Sequence, residues 1–232
     1  RRFKGGLAIA VVILSAGITV CAYYLRQQEE SPENIRLSES DRSVLLAKFE
    51  EKFGKYENVI QPRIVSVFVN LDLYPETSSF TARGDYVLVN KTARPIDTLL
   101  IRTGFDEITD LNFHGEYTLI DEDTLMKFSV YKLEKGIAPN DSIKLSFSVR
   151  SHENTLLARR SNVLENGTYI RSDIFPRLGY FANTEIPNPD DSASHLNHYQ
   201  SRDADLIEFE AILSTVPEQT AITTGSLIRE WK

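Results

Sequence analysis

The sequence predicts a mainly β protein: an antiparallel β-sandwich or saddle-shaped domain, preceded by one transmembrane helix and a short amphipathic helix. Three observations predict this fold class. An uncharged apolar run extends from Gly5 to Leu25, a helical apolar period follows it, and beyond Tyr56 the apolar period changes to two residues. We therefore predict three segments: residues 1–27 as the transmembrane helix with its basic flank, 28–56 as the linker and amphipathic helix, and 57–232 as the β-domain.

The apolar run is long enough to cross a membrane. A helix from Gly5 through Leu14 to Leu25 would extend about 31 Å, close to the roughly 30 Å hydrocarbon core of a bilayer. Basic residues precede the run and acidic residues follow it, which predicts a cytoplasmic N-terminus. A cleaved signal peptide is the alternative, but it would have a shorter apolar region followed by small residues. The predicted partner is the lipid bilayer, and the predicted location is the cell inner membrane with the β-domain on the extracytoplasmic side.

The segment after the linker carries a helical period. Leu45, Phe49, Phe53 and Tyr56 fall on one stripe, and Gly54 is a residue type that ends helices. We expect this stripe to pack on the β-domain. The alternative is a helix that lies in the membrane interface, which its mixed charges disfavour.

The β-domain is predicted from segments in which apolar residues alternate with mostly polar ones. The apolar positions from Val65 to Leu73 alternate in this way, and so do those of three further segments: residues 81–90, 142–149 and 206–214. Turn-forming residues between strands lie at Asn90–Pro95, Ile120–Asp123 and Ala138–Asp141. Because no helical period separates these strands, the pattern favours an antiparallel arrangement.

A long segment without alternation, residues 166–205, interrupts the strands. A connection of this length is either functional or disordered, and the aromatic residues of its first part predict an ordered, packed structure there. Its second part contains His195 and His198, whose i, i+3 spacing is the weak alternative for a metal site. The neighbouring Asp190 and Asp191 are a candidate acidic pair. We expect both pairs to be solvated loop residues rather than parts of a site.

The remaining motifs exclude several kinds of chemistry. Cys21, the only cysteine, lies in the apolar run, so the chain offers no intrachain disulfide and no cysteine metal site. Phosphate-binding glycine loops and nucleophile elbows are missing, and His114 and His152 have no matching serine or aspartate in the nearby sequence. A net charge of -7 excludes nucleic acid as an expected partner. Asn90 and Asn166 each begin a glycosylation triplet, a motif that also arises often by chance.

Four stretches of the sequence resemble a known family. They are "YENVIQPRIVSVFVNLDLYPETSSFTARGDYVLVNKTARPIDTLLI", "NGTYIRSDIFPRLGY", "DADLIEFEAILST" and "TTGSLIREW". They lie between Tyr56 and Trp231, the part of the chain that resembles the N-terminal β-domain of the membrane alanyl aminopeptidases, which are zinc peptidases of the gluzincin type. The chain is most similar to a bacterial branch in which an ABC transporter permease-like membrane region is followed by such a peptidase.

The resemblance implies a noncatalytic domain that positions a peptidase domain and walls one side of its substrate cleft. The family's zinc motif, HExxH with a downstream Glu, does not occur in this chain, so no catalytic residue and no cofactor are predicted here, and zinc is expected in the full-length protein. The family's N-terminal domain contributes a Gln or Glu that holds the free amine of the substrate. At the corresponding place stand Asp173 and Ile174, so Asp173, Phe175 and Tyr180 are the substrate-facing candidates.

The partners that the resemblance implies are the protein's own C-terminal peptidase domain and a peptide substrate. The alternative function, from another class of protein, is a self-contained, membrane-anchored β-sandwich module that binds a protein or a glycan.

Overall fold

The alternating segments fold into two β-sheets that pack face to face. The computed structural model describes residues 6, 12–23, 39–104, 107–151, 163–180 and 206–231. Contacts between residues divide the chain into two units, Arg1–Ser43 and Val44–Lys232, and both sheets belong to the second.

Helix α1 spans Glu39–Phe53, and a short 3-10 helix, Gly54–Tyr56, follows it. Nine strands follow in the described residues: β1 Arg63–Tyr74, β2 Ser79–Val89, β3 Ile96–Arg102, β4 Glu107–Phe113, β5 Tyr117–Asp123, β6 Phe128–Ile137, β7 Ser142–Arg150, β8 Arg177–Leu178 and β9 Glu208–Ser214. Two further 3-10 turns lie at Pro75–Thr77 and Ser172–Ile174.

The larger sheet has the strand order β4-β7-β2-β1-β9 and the smaller sheet has the order β5-β6-β3-β8. Neighbouring strands are antiparallel except β1 and β9, which run parallel at one edge of the larger sheet. The prediction of a mainly β domain is confirmed, and its two sheets are antiparallel apart from this edge pair, which alternation does not predict.

The main core lies between the two sheets. On β7, Leu145, Phe147 and Val149 point inward and are buried, while the serines between them face outward, as alternation predicts. Gly84 on β2 makes room for Phe147, because a Cβ atom at Gly84 would lie 2.4 Å from the Phe147 ring. The packing therefore depends on a missing side chain as well as on the apolar residues.

A second, smaller core covers the other face of the smaller sheet. Phe49 and Phe53 of α1 are buried there, and their ring centroids lie 5.2 and 5.0 Å from that of Phe128 on β6. Helix α1 thus packs on the β-domain through the predicted stripe.

Because α1 covers the smaller sheet, its central strand β3 is buried on both faces. Leu99 and Ile101 belong to the core between the sheets, whereas Leu100 belongs to the core under α1. This explains why Leu99, Leu100 and Ile101 are consecutive apolar residues rather than alternating ones.

The predicted turns are partly correct. Asn90–Pro95 connects β2 to β3, and Ala138–Asp141 connects β6 to β7, with Asp141 N donating to Ala138 O at 3.0 Å. The turn predicted at Ile120–Asp123 is wrong, because those residues belong to β5 and the turn follows at residues 124–127.

The predicted membrane span is contradicted. Within the described part of the chain, no helix combines the length and the apolar character that a bilayer crossing requires. Residues 12–23 are helical. Leu14 lies in this helix with an exposed side chain, while Gly5 and Leu25 lie outside the described residues. The predicted transmembrane helix and the inner-membrane location that rested on it are therefore wrong.

One edge of β3 is completed by a side chain instead of a strand. Strand β8 pairs only with Ile101 and Arg102. Further along this edge, Gln61 Nε2 donates to Thr98 O at 3.1 Å, and Gln61 Oε1 accepts from Leu100 N at 2.9 Å. The amide of Gln61 therefore makes the two hydrogen bonds that a neighbouring strand would make.

Candidate functional site

The segment predicted to face a substrate begins with Asp173, on the 3-10 turn Ser172–Ile174. Its carboxylate is about half exposed and lies 3.8 Å from Arg171 Nε. The turn lies close to Gly104, where a Cβ atom would come within 2.5 Å of the Asp173 carbonyl oxygen. Asp173 thus presents an acidic group at the surface, and its role toward a substrate stays a prediction.

Phe175 and Tyr180 lie in different places from Asp173 and from each other. Phe175 packs on the core between the sheets, with its ring 5.8 Å from that of Phe147. Tyr180 is buried in the smaller core and stacks on Phe49 at 5.8 Å. The structure therefore does not gather the three candidates on one surface.

The metal-binding alternative cannot be located in the structure. His195, His198, Asp190 and Asp191 lie outside the described residues, and so does His152. Among the residues that are described, no three His, Cys, Asp or Glu side chains are arranged to hold a metal ion.

The two glycosylation triplets have different surroundings. Asn90 is fully buried, and its Nδ2 donates to Arg94 O at 2.7 Å and to Ile137 O at 2.8 Å. The Asn90 amide is therefore a structural element of the β2–β3 turn. Asn166 lies exposed in a turn before Gly167, whose φ of 148° is a conformation that glycine readily adopts.

A polar chain that the sequence did not reveal lies on the outer face of the larger sheet. It links four side chains from β2, β7 and the end of β4. His114 Nε2 lies 2.8 Å from Ser146 Oγ, Ser146 Oγ donates to Asp85 Oδ1 at 2.6 Å, and Lys144 Nζ lies 3.1 Å from Asp85 Oδ2. Burial opposes ionisation of Asp85, but the hydrogen bonds from Ser146 and Lys144 outweigh it and lower the pKa of the carboxyl group.

The direction of these hydrogen bonds limits what the polar chain does. A carboxylate only accepts hydrogen bonds, so the single proton of the Ser146 hydroxyl points to Asp85. The His114 Nε2 atom then donates to Ser146, and the imidazole is not placed to take the serine's proton. The arrangement stabilises an ion pair on a sheet surface and does not form a nucleophile and base.

The C-terminal segment, residues 206–231, exposes an unusual amount of apolar surface. Gln219 Nε2 anchors it by donating to the carbonyl oxygens of Leu164 and Glu165, each at 3.0 Å. Beyond this anchor, residues 220–231 have no helix or strand and all have exposed side chains. The large apolar side chains that the segment exposes are Leu206, Ile207, Phe209, Ile222, Leu227, Ile228 and Trp231. This surface is the candidate functional site.

Comparison with known proteins gives only slight similarity. No protein-family model matches the chain, and no curated protein matches it. The M1 zinc metallopeptidase from Deinococcus radiodurans is similar to 39% of this chain and 20% of its own, with 8% identity and a TM-score of 0.32. A mutant of that enzyme is similar to 44% of this chain and 23% of its own, with 7% identity and the same TM-score. The matched part spans about a fifth of those structures, and similarity this slight assigns neither family nor function.

Proposed function

We propose that this chain is the noncatalytic β-domain of a zinc aminopeptidase-like protein and that it packs on the peptidase domain through its C-terminal segment. The observation that carries the proposal is the exposed apolar surface of that segment. Leu227 and Ile228 are 80% and 92% exposed, although the rest of the β-domain has a well-packed core. A concentration of exposed apolar side chains on one segment favours a contact with another protein surface.

The resemblance in the sequence supports a peptidase domain as the partner. The stretch "TTGSLIREW", which carries three of the exposed apolar residues, is one of the four stretches similar to the aminopeptidase N-terminal domain. In this proposal the β-domain positions the peptidase domain and walls one side of the cleft that holds a peptide. The half-exposed Asp173 and the partly buried Phe175 remain candidates for that wall, whereas Tyr180 is buried in the smaller core.

Zinc belongs to the peptidase domain in this proposal. The described residues of this chain offer no cluster that fits a metal ion, and we therefore derive no zinc chemistry from them. The permease-like membrane region that the resemblance implies is not part of the proposal.

The coding sequence beyond Lys232 tests the proposal directly. It should continue in the same reading frame and encode HExxH with a downstream Glu within about the length of one domain. A stop codon immediately after Lys232 would contradict the proposal and favour the alternative, a self-contained β-sandwich binding module.

A pair of substitutions tests the role of the C-terminal segment in the protein made from that whole reading frame. Leu227→Asp with Ile228→Asp should expose the segment to limited proteolysis and lower the hydrolysis of aminoacyl anilides, because two charges would enter an apolar contact. The matched control is Leu119→Asp with Ile120→Asp, two exposed residues of β5. Equal proteolysis and activity in both variants would contradict the proposed contact.

A further inference from the structure

The turn at Asn166 projects from the β-domain between two residues that hold it in the core. Val163 is fully buried, and Ile170 packs against the core between the sheets. Residues 164–167 between them are all exposed. Asn166 is followed by Gly167, and this is the only Asn-Gly pair in the sequence. The turn therefore presents to solvent an asparagine whose next residue has no side chain.

The surroundings of Gly167 leave room for the Asn166 side chain to reach the next peptide nitrogen. A Cβ atom built at Gly167 would meet no atom within 4 Å apart from those of its chain neighbours. Glycine adopts positive and negative φ values about equally readily, so its φ of 148° does not lock the turn. The Asn166 side-chain carbonyl can therefore approach Gly167 N by rotation of the exposed backbone.

One hydrogen bond restrains the nitrogen that would react. Gly167 N donates to Leu164 O at 3.2 Å, at the long end of the normal range for such bonds. A typical hydrogen bond contributes about 0.5–1.5 kcal/mol to stability. Because 1.4 kcal/mol corresponds to a factor of ten, opening this bond slows a reaction of Gly167 N by at most about tenfold.

The same turn holds the C-terminal segment. Gln219 Nε2 donates to Leu164 O and to Glu165 O, each at 3.0 Å. Leu164 O thus accepts both from Gln219 and from Gly167 N. A chemical change between Leu164 and Gly167 therefore acts on the anchor of the C-terminal segment.

We propose that Asn166 is a site of spontaneous deamidation, with water as the co-reactant. Gly167 N gives its proton to a solvent base and attacks Asn166 Cγ. The Cγ–Nδ2 bond breaks, and the side-chain nitrogen takes up a proton and leaves as ammonia, which leaves a five-membered succinimide ring. The proposal is independent of the proposed function.

Water then opens the ring at one of its two carbonyl carbons. Cleavage of the new bond from Cγ to nitrogen gives aspartate, and cleavage of the original peptide bond gives isoaspartate. In both cases the carbon gains a carboxylate oxygen from water and the nitrogen regains a proton. The net reaction consumes one water and releases one ammonia, and no atom is oxidised or reduced.

Both products change the turn. Each adds a negative charge next to Glu165. Isoaspartate also inserts a methylene group into the backbone between Leu164 O and Gly167 N, the two ends of the hydrogen bond that closes the turn. The turn carbonyls then no longer converge on the Gln219 amide, and the anchor of the C-terminal segment is weakened.

Mass spectrometry of the full chain during incubation at neutral pH tests the proposal. Trypsin cleavage after Arg160 and Arg171 releases residues 161–171, and their mass should rise by the difference between an amide and a carboxylic acid. The reference is a synthetic peptide of the same residues. The native chain should react at no less than about one tenth of the rate of this peptide.

Two controls locate the reaction. Asn166→Gln should abolish the change in mass, because the longer side chain does not form the five-membered ring. Asn162 lies in the same tryptic peptide and should stay intact, because the branched side chain of Val163 crowds the nitrogen that would attack it. Three results would overturn the proposal: no change in mass, a native rate well below one tenth of the peptide rate, or aspartate without isoaspartate.

The effect on the anchor is measured on the isoaspartate form, separated by its extra charge. The side-chain amide resonances of Gln219, assigned by their absence from the Gln219→Leu variant, should move toward those of a solvated glutamine. The matched control is the Gln61 side-chain amide, which bonds to β3 and should not move. Unchanged Gln219 resonances would contradict the weakening of the anchor.

Discussion

Replacing Gln61 by leucine should lower the free energy of unfolding by about 2–4 kcal/mol. Leucine has no polar atom, so the Leu100 N–H loses its acceptor and the Thr98 carbonyl loses its donor. An unsatisfied buried backbone group costs about 1–3 kcal/mol. Leu100 has no exposed surface and should account for the larger part, whereas Thr98 is half-buried and water can replace some of its bond.

Urea unfolding of the full chain, followed by circular dichroism, measures this change. The matched control is Gln219→Leu, which also removes two hydrogen bonds to the backbone, here to the carbonyls of exposed residues, together with one from the Thr215 hydroxyl. That variant should cost less than about 1 kcal/mol. A Gln61→Leu variant within about 0.5 kcal/mol of the wild type, or an equal cost at both positions, would refute the role assigned to the Gln61 amide.

Three more predictions use the same unfolding measurement. Asn90→Ala should cost about 3 kcal/mol, because the Ile137 and Arg94 carbonyls lose their donor in a buried turn; a cost below about 1 kcal/mol would contradict this. Gly84→Ala should cost about 1–3 kcal/mol, since its Cβ atom would meet Phe147 and the Phe68 carbonyl; an unchanged stability would show that the core adapts without strain. Asp85→Asn should destabilise the protein at pH 7 but much less at pH 3. The lowered pKa of Asp85 gives stability above its unfolded pKa of about 4, and this stability is lost as the pH falls through the folded pKa. A cost in stability that does not change with pH would contradict this prediction.

The patterns within α1 and β7 predicted correctly which side chains of these elements face the core. The inward residues of β7 and the stripe of α1 follow from the local periods of two and 3.6 residues. The alternation of β1 fails only near Val65, where a shift of register between Ile64 and Ser66 inserts an extra residue. Such a bulge depends on how β1 pairs with β2, and a pattern along one strand does not contain that information.

Contacts between residues that are distant in the sequence could not be predicted from local patterns. His114, Ser146 and Asp85 meet only because β4, β7 and β2 are neighbours in one sheet, and their separations in sequence give no sign of it. The same holds for Gln61, whose amide reaches an unpaired edge formed elsewhere. The candidate surface of the C-terminal segment was likewise unpredicted, because alternation in β9 indicated a buried face, whereas Phe209 is 42% exposed.

The central claim is that the C-terminal segment contacts a peptidase domain. Amide hydrogen exchange of residues 220–231 tests it most directly, because these residues have no regular secondary structure in the chain described here. They should exchange rapidly in this chain alone and slowly in the protein made from the whole reading frame. Rapid exchange in both proteins would contradict the claim.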